Sequence, residues 1–594
     1  MSTLQRPAVA APRRHLALNS FWGSLAILAA AQVALALLVS PARDYPVEDD
    51  WAYAQVVQSI LQGHLQLSEF AGPSTVFHAA WGALWCAIFG FSFTTLTVAN
   101  LVMGVLAALA FWVLLRELGF SAWPSLIGAL TLLLNPLTMF LSYTFMTDLT
   151  SLALLLAALA AFAAACHRTP SLGYLLLSGL FAAAAVLTRQ ITFAAPLAIA
   201  VVWLRQWGFR RGVVGAAAAV LPPVVAYGLL QAWVNTQGGP PWAWGLYSPG
   251  AVLAYVANPA SLLIHVVRFL YIAGFLTFLL LPIFALLLSA LFRRGVGAPL
   301  AQVRRAVALR AVHWPTFRYI TLGVAVAAIY AAFYFVGGSF NGGSDILQRR
   351  GYWPTLSGLT DKLPVFPLPF WIALTIVIVP LVAALLVLLG HGLVRALQRG
   401  PRDPALLGVT LSMLVILGLT MSVTAYHDSL SLPLLAGLII FLLARVRGRV
   451  APVGPAVVVL VLFATFGILS LRDLHNWHTA AWRAGQALLA AGVPLTHISG
   501  GNEWNYWYLG EEEVRQARAA GRPMSFGVKL IQPEYVISFS PQITWIVDAP
   551  FPASGPPYRV CAQLPYERPL HAAPAYVYVL TDGGCPLSGL PQAP

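Results

Sequence analysis

Apolar runs long enough to cross a bilayer recur along this chain with only short polar connections between them, and that recurrence dictates the architecture. A bilayer core takes about 20 helical residues. Such runs lie at residues 19–40, 93–115, 122–141, 149–166, 171–187, 191–207, 212–232, 269–292, 319–338, 369–390, 405–424, 430–444 and 453–471. In lipid the backbone must satisfy its own N–H and C=O groups, so these thirteen runs predict an all-α polytopic membrane body over residues 1–471. Only 9% of residues are charged, against about 25% in soluble domains, which excludes a soluble globular reading of the whole. The first run is too long for a signal-peptide core and lacks a clear small-residue cleavage site, so it is expected to remain as a span.

Arginine placement predicts orientation. With Arg6, Arg13 and Arg14 in the cytoplasm, every second loop should be basic. The loops bearing Arg116; Arg168; Arg205, Arg210 and Arg211; Arg293, Arg294, Arg304, Arg305, Arg310 and Arg318; Arg395, Arg399 and Arg402; and Arg445, Arg447 and Arg449 obey this. Twenty of the 34 basic residues then lie inside, against two acids, Glu117 and Asp403. The other acids lie outside or at the outer boundary, and an odd span count puts the C-terminal tail outside too. The net charge of +14 thus concerns topology, and its scatter between apolar runs excludes a nucleic-acid partner. The expected location is the cytoplasmic (inner) membrane, with membrane lipids as constant partners.

Three outer features are large: loops at 41–92 and 339–367, and the tail 472–594. The tail mixes a helix-like stretch, 474–491, with strand-like runs at 535–539, 543–547 and 576–580, which predicts a small extracytoplasmic α/β domain. Cys561 and Cys585 both lie in it and can pair if it stands outside the cytoplasm.

The first loop carries Glu48-Asp49-Asp50-Trp51, then Tyr53, Val56, Val57, Ile60 and Leu61 at helical spacing, then Gly63-His64. That is an amphipathic surface helix stopped at Gly63, and a second runs from Val76 to Phe89 with His78, Trp81 and Trp85. Helix capping accounts for one carboxylate. Three adjacent ones repel and raise one another's pKa, which points to a proton acceptor or cation site. Asp148, in Thr147-Asp148, stands at the outer end of its span as either a cap or a second acid of that site. Arg189, in Leu187-Thr188-Arg189, breaks the inside bias; snorkelling and phosphate binding both explain it. Arg349 and Arg350 lie with Asp345 and Lys362 in a Gly-rich outer loop suited to a phosphate or an anionic lipid. Tyr426-His427-Asp428 lies between two spans, where His427 is more often structural than a ligand.

Several signatures are missing. There is no GxxxxGK[ST], HExxH, GxSxG or CxxC in a suitable setting, and no acid or Lys stands mid-span. ATP hydrolysis, zincin and serine-hydrolase chemistry, and an ion relay through the bilayer therefore lack support.

Asp49-Asp50-x-x-Tyr53 with Gly63-His64, then Thr147-Asp148, then Leu187-Thr188-Arg189 resemble the polytopic lipid-linked-sugar glycosyltransferases of the C-type (GT-C) fold. The nearest group is that of the protein O-mannosyltransferases, aminoarabinose transferases and rhizobial lipopolysaccharide transferases. The resemblance covers residues 15–210; Tyr426 to Pro433 and Gly500-Gly501-Asn502-Glu503-Trp504-Asn505 resemble family segments more loosely. Two departures stand out: the family's first-loop pair is usually Asp-Glu, and a Lys commonly stands where Arg189 is found.

The resemblance implies a hexosyl- or pentosyltransferase with a polyprenyl-phosphate sugar donor, a cell-envelope acceptor, outer-face transfer and inversion at the anomeric carbon. It implies Asp49, Asp50 and Asp148 as catalytic acids; any divalent metal, on which members differ, would sit on the same three. Arg189, Arg349 and Arg350 would bind donor phosphate, and Tyr53, His64, His78, Tyr426 and His427 would be acceptor-contacting or structural. The alternatives are a transporter or flippase of lipid-linked saccharides, for which midplane polar groups and repeated broken helices are missing, and an envelope scaffold, which leaves the acid cluster unexplained.

Overall fold

The computed structural model describes residues 18–72, 74–169, 171–259, 261–292, 346–348, 350–352, 354–399, 403–423, 426–447, 452–550 and 558–587. The expected run at 319–338 and the residues Asp345 and Arg349 lie outside them.

A polytopic helical body carries a small C-terminal α/β domain. In order come α1 (Leu18–Leu38), α2 (Asp50–Leu61), α3 (Val76–Phe89), α4 (Phe93–Glu117), α5 (Ala122–Leu133), α6 (Pro136–Ser142), α7 (Thr147–His167), α8 (Ser171–Val186) and α9 (Ala194–Thr236). Among the described residues nine helices are long and apolar enough to cross a membrane, or ten if the bent pair α5–α6 is one span. Of the thirteen runs, 319–338 lies outside the described residues and two fall within α9. Helix α8 is only 16 residues long. Runs 191–207 and 212–232 are joined in α9 but reverse at Gly208, whose φ of 70° and ψ of 163° no helix contains. A Cβ on Gly212 would lie 3.3 Å from the Leu204 backbone, a contact that eight residues of straight helix cannot make. The run 269–292 is divided between Ser261–Leu279 and Leu281–Phe292.

Helices α4, α7, α8 and α9 pack in chain order, with α7 almost wholly buried. At one end of the bundle Glu117 pairs with Arg168, His167 stands 3.7 Å from Asp403, and Arg447 covers the Phe120 ring. These are residues that the arginine rule assigns to one side. The Arg43–Asp50 and Asp148–Arg189 pairs belong to residues assigned to the other.

After the helices Leu368–Arg399, Pro404–Ser422 and Leu432–Leu443, the helix Gly454–Ala490 runs unbroken past residue 471 into the tail. Beyond it, strands β3 (Ile498–Ser499), β4 (Tyr535–Ser538), β5 (Arg559–Tyr566) and β6 (Ala575–Thr581) form a sheet in the order β3-β4-β6-β5, with β3 parallel to β4 and the other pairs antiparallel. Residues 543–547 form no strand, whereas β5 and the helix Asn502–Ala519 were not expected. Earlier in the chain, β1 (Leu347–Gln348) and β2 (Gly351–Tyr352) make a short hairpin in the second outer loop. That loop straps body to sheet: Tyr352 donates to Pro136 O at 2.8 Å, Lys362 pairs with Asp473 at 2.7 Å, and Phe539 N–H donates to Ser357 O at 2.9 Å.

Cys561 and Cys585 form a disulfide across a separation of 24 residues. Closing a loop of that length constrains the unfolded chain by about 3 kcal/mol. Cys561→Ser with Cys585→Ser should lower the stability of the sheet domain by about that amount, read by urea denaturation under oxidising and reducing conditions. Identical midpoints in both would show that the bridge contributes nothing.

Candidate active site

The three carboxylates of the first loop diverge because neighbouring residues at a helix start do not share a face. Glu48, at φ 58°, stands before the helix, Asp49 occupies the cap position, and Asp50 is the first helical residue of α2. Asp50 turns inward and is fully buried. It pairs with Arg43 and accepts from Phe145 N–H at 2.6 Å and Val47 N–H at 3.3 Å. Burial pushes its carboxyl pKa up, against the pull of Arg43 and those two N–H groups. Its carboxylate, closed off by these three donors, braces the loop.

Asp49 is less enclosed than Asp50. It is half-buried and its side chain does not cap α2, so the plain capping role is not the one it fills. Its charge acts on Tyr53 one turn along and on Glu503 and Tyr506 of the C-terminal domain. Tyr53 is buried between the two acids: burial, then Asp49, and also Asp148, push its phenol well up, while Arg189 opposes them.

Asp148 lies in the first turn of α7, 3% exposed, and accepts a hydrogen bond from the Arg189 guanidinium. Its second oxygen, Oδ2, is buried without a hydrogen-bond partner among the described residues. Such an atom costs free energy unless a ligand or water reaches it. The approach to Asp148 is fixed from three sides. Asn100 of α4 donates to Leu141 O and Thr144 O at 2.7 and 2.6 Å, Asp50 takes the Phe145 N–H, and His78 lies 2.8 Å from Thr150 Oγ1 and 3.1 Å from Phe145 O. Arg189 is placed by α3, whose first turn bonds the preceding loop: Thr75 N–H to Thr188 O at 3.1 Å and Phe77 N–H to Leu187 O at 3.2 Å.

Asp148 and Arg189 line a cleft with Ser151, Thr192, Ser429 and Pro433. Its free volume is about 10 Å³, far below the 300–1,000 Å³ of a ligand pocket, so the walls are closed on one another. The far wall comes from the segment that follows Tyr426-His427. Tyr426 bonds Ser431 at 2.6 Å and stacks on the guanidinium of Arg268, an arginine that the sequence reading passed over. Asp428 accepts from Tyr271 at 3.0 Å and Leu347 N–H at 3.2 Å.

Other candidates fall elsewhere. His78 is a buried brace, and His64 is exposed on the turn after α2. Arg350 does not line the cleft; it sits in the strap, 3.4 Å from Thr360 O, while its own carbonyl takes a hydrogen bond from Lys362. No three His, Cys, Asp or Glu among the described residues are grouped to hold a metal ion. Asp50 and Asp148 each pair with an arginine.

Glu503 was missed as a site residue. It is 3% exposed, and burial raises its pKa to about 8 against an ordinary 4.5. The folded protein keeps this proton to about pH 8 while the unfolded chain loses it near 4.5. Stability should therefore fall as pH rises between those values. Glu503→Gln, with no proton to lose, should flatten that slope in thermal melts at pH 5 to 8; an unchanged slope would contradict the burial.

Residues 74–230 match the family model described as dolichyl-phosphate-mannose-protein mannosyltransferase. No curated protein sequence matches the chain. Among solved structures, it is similar to the Saccharomyces cerevisiae protein O-mannosyltransferase Pmt1-Pmt2 complex bound to the sugar donor, with 13% identity, 36% of this chain and 34% of that one covered, and TM-score 0.31. The chain thus spans about a third of that relative's length. It is also similar to ArnT from Cupriavidus metallidurans bound to undecaprenyl phosphate (16% identity, 84% and 72% covered, TM-score 0.37). A third is the oligosaccharyltransferase AglB from Archaeoglobus fulgidus with an inhibitory peptide and a dolichol-phosphate (14% identity, 77% and 57% covered, TM-score 0.36). The match of residues 74–230 to the mannosyltransferase family model agrees, over that part of this polytopic chain, with the resemblance to the C-type membrane glycosyltransferases carried by its motifs.

Proposed function

We propose that the protein transfers a hexose or pentose from a polyprenyl-phosphate donor to a cell-envelope acceptor (lipid, glycan or protein) at the outer face of the cytoplasmic membrane, with inversion. The observation that carries this reading is the gathering of Asp49, Tyr53, Asp148 and Arg189, from three separate segments, with Asp148 and Arg189 lining one cleft. A polyprenyl tail partitions into lipid, so the donor arrives laterally and the polar acceptor from water. Asp49 takes the acceptor hydroxyl proton as that oxygen bonds the anomeric carbon. The bond from that carbon to the phosphate oxygen breaks, its electron pair leaves with the phosphate, and Arg189 stabilises the charge that develops. Asp148 holds Arg189 in place and offers Oδ2 to a sugar or acceptor hydroxyl. Entry of the donor requires the 429–433 wall to move off the Asp148 wall. An extracytoplasmic tail fits its disulfide, which persists in oxidising compartments.

The test is sugar release from a panel of radiolabelled polyprenyl-phosphate hexoses and pentoses by the purified full-length protein in nanodiscs. Turnover is expected for the wild type, with a loss of about 10²–10³-fold in Asp148→Asn. Transbilayer movement of intact donor in vesicles with no sugar released would replace the transferase with a flippase.

A further inference from the structure

The segment Gly500-Gly501-Asn502-Glu503-Trp504-Asn505 takes no part in the chemistry above, yet its contacts form a connected set. Gly501 has φ 93°, and a Cβ there would lie 2.8 Å from the Leu356 side chain and 3.1 Å from Thr355 O. Only glycine lets this turn approach the second outer loop so closely. Asn505 accepts from Gly500 N–H at 3.0 Å and donates to Val547 O at 3.3 Å, closing the turn. The turn aims Glu503 out of its own domain into the first outer loop. Its Oε1 accepts from Glu48 N–H at 3.2 Å and stands 3.7 Å from His478 Nε2; its Oε2 accepts from the Thr355 hydroxyl at 2.6 Å. One turn on, Tyr506 stacks on Trp51 with ring centroids 4.8 Å apart. The same helix therefore grips the residue before Asp49 and the second residue after it. Glu48 is held at φ 58°, which a residue with a Cβ adopts only when its surroundings impose it.

We infer that Glu503 is a positioning residue for the transfer reaction: by accepting the Glu48 N–H it fixes the backbone turn that presents Asp49 to the acceptor, so the C-terminal domain completes the site in the membrane body. This rests on the reading of Asp49 as the base. The acceptor oxygen must sit on a defined line between that carboxylate and the anomeric carbon, and a displacement of about 1 Å costs roughly 100-fold in rate. Glu503 touches neither reactant, so its effect falls on kcat.

The experiment compares Glu503→Ala, Glu503→Gln and Asp49→Asn in the full-length protein. It uses whichever donor of the radiolabelled panel the wild type turns over, together with amide hydrogen exchange at residues 48–50. Glu503→Ala should lower kcat by about 100-fold with donor KM within about twofold, and should speed exchange at 48–50 but not in β4 or β6. Glu503→Gln keeps an oxygen for the Glu48 N–H and a donor for Thr355, and should restore kcat to within several-fold. Wild-type kcat in Glu503→Ala beside an inactive Asp49→Asn would overturn the inference alone. Faster exchange throughout β4 and β6 without rescue by Gln would reduce Glu503 to a fold-maintaining residue and also overturn it. Full turnover in Asp49→Asn, or no turnover of the panel by the wild type, would instead remove the underlying reading and the inference with it.

Discussion

Asp49→Asn is expected to yield a folded, membrane-inserted protein whose sugar transfer is reduced by about 10²–10⁴-fold, the usual worth of a positioned general base. Its neighbour should behave differently. Asp50→Asn still offers an oxygen to the Phe145 N–H but withdraws the charge that faces the buried Arg43 guanidinium. The loss should therefore appear in thermal stability and yield, while kcat per folded molecule stays within about tenfold, since an off-axis shift of the loop is its only route to the chemistry. The measurement is kcat normalised to folded protein, alongside the melting temperature, for both variants. The reverse pattern, an active Asp49→Asn and a stable but inactive Asp50→Asn, would exchange their roles.

The second large effect concerns Arg43. Its guanidinium donates to Asp50, to Thr97 Oγ1 at 3.0 Å and to Tyr45 O at 2.6 Å, and neither charged side chain reaches solvent. Arg43→Met strands a buried carboxylate, a change that typically costs 3–5 kcal/mol. Because the same carboxylate holds the Phe145 N–H, the damage should spread to the approach to α7 and to Asp148. Pairing Arg43→Met with Asp50→Asn removes both charges and should recover most of the stability. Denaturation midpoints of the two singles and the double form a cycle that isolates the coupling. Additive losses would mean that the pair does not act as a unit.

Much of the fold was legible in the sequence because lipid leaves a backbone few options. The amphipathic helix ending before Gly63 and the second helix from Val76 to Phe89 occur where their spacing places them. The span count was less legible, because the division of 269–292 interrupts an apolar run without any change in polarity, whereas the reversal at Gly208 falls in the basic gap between runs 191–207 and 212–232. In the site, Asp49, Asp50 and Asp148 were recognisable as a group from charge scarcity. Their separate fates were not, since adjacency in sequence says nothing about which side of a helix start each occupies. Arg43 carried a usable signal, a lone arginine seven residues before Asp50 on the acid-rich side. Arg350 packs in the second loop against Thr360 O, away from the Asp148 cleft, a placement that a paired arginine among glycines does not announce. Glu503 was visible only as part of a motif; its partners come from the first and second outer loops and from the long helix Gly454–Ala490, and no local pattern encodes them.

The contact between Glu48 and Glu503 joins positions 455 residues apart. On a ribosome adding about 5–20 residues per second, the first outer loop is synthesised roughly half a minute or more before the residue that holds it. Through that interval Arg43, Asp50 and the helices around them can already be in place, while the turn at Glu48 lacks the acceptor that Glu503 supplies to its N–H. A nascent chain thus holds its acid-bearing loop in an unfinished state until the tail is made. On the proposed reading, a chain cut short before Glu503 lacks the contact that sets Asp49, so truncated products of interrupted synthesis should be inactive in sugar transfer.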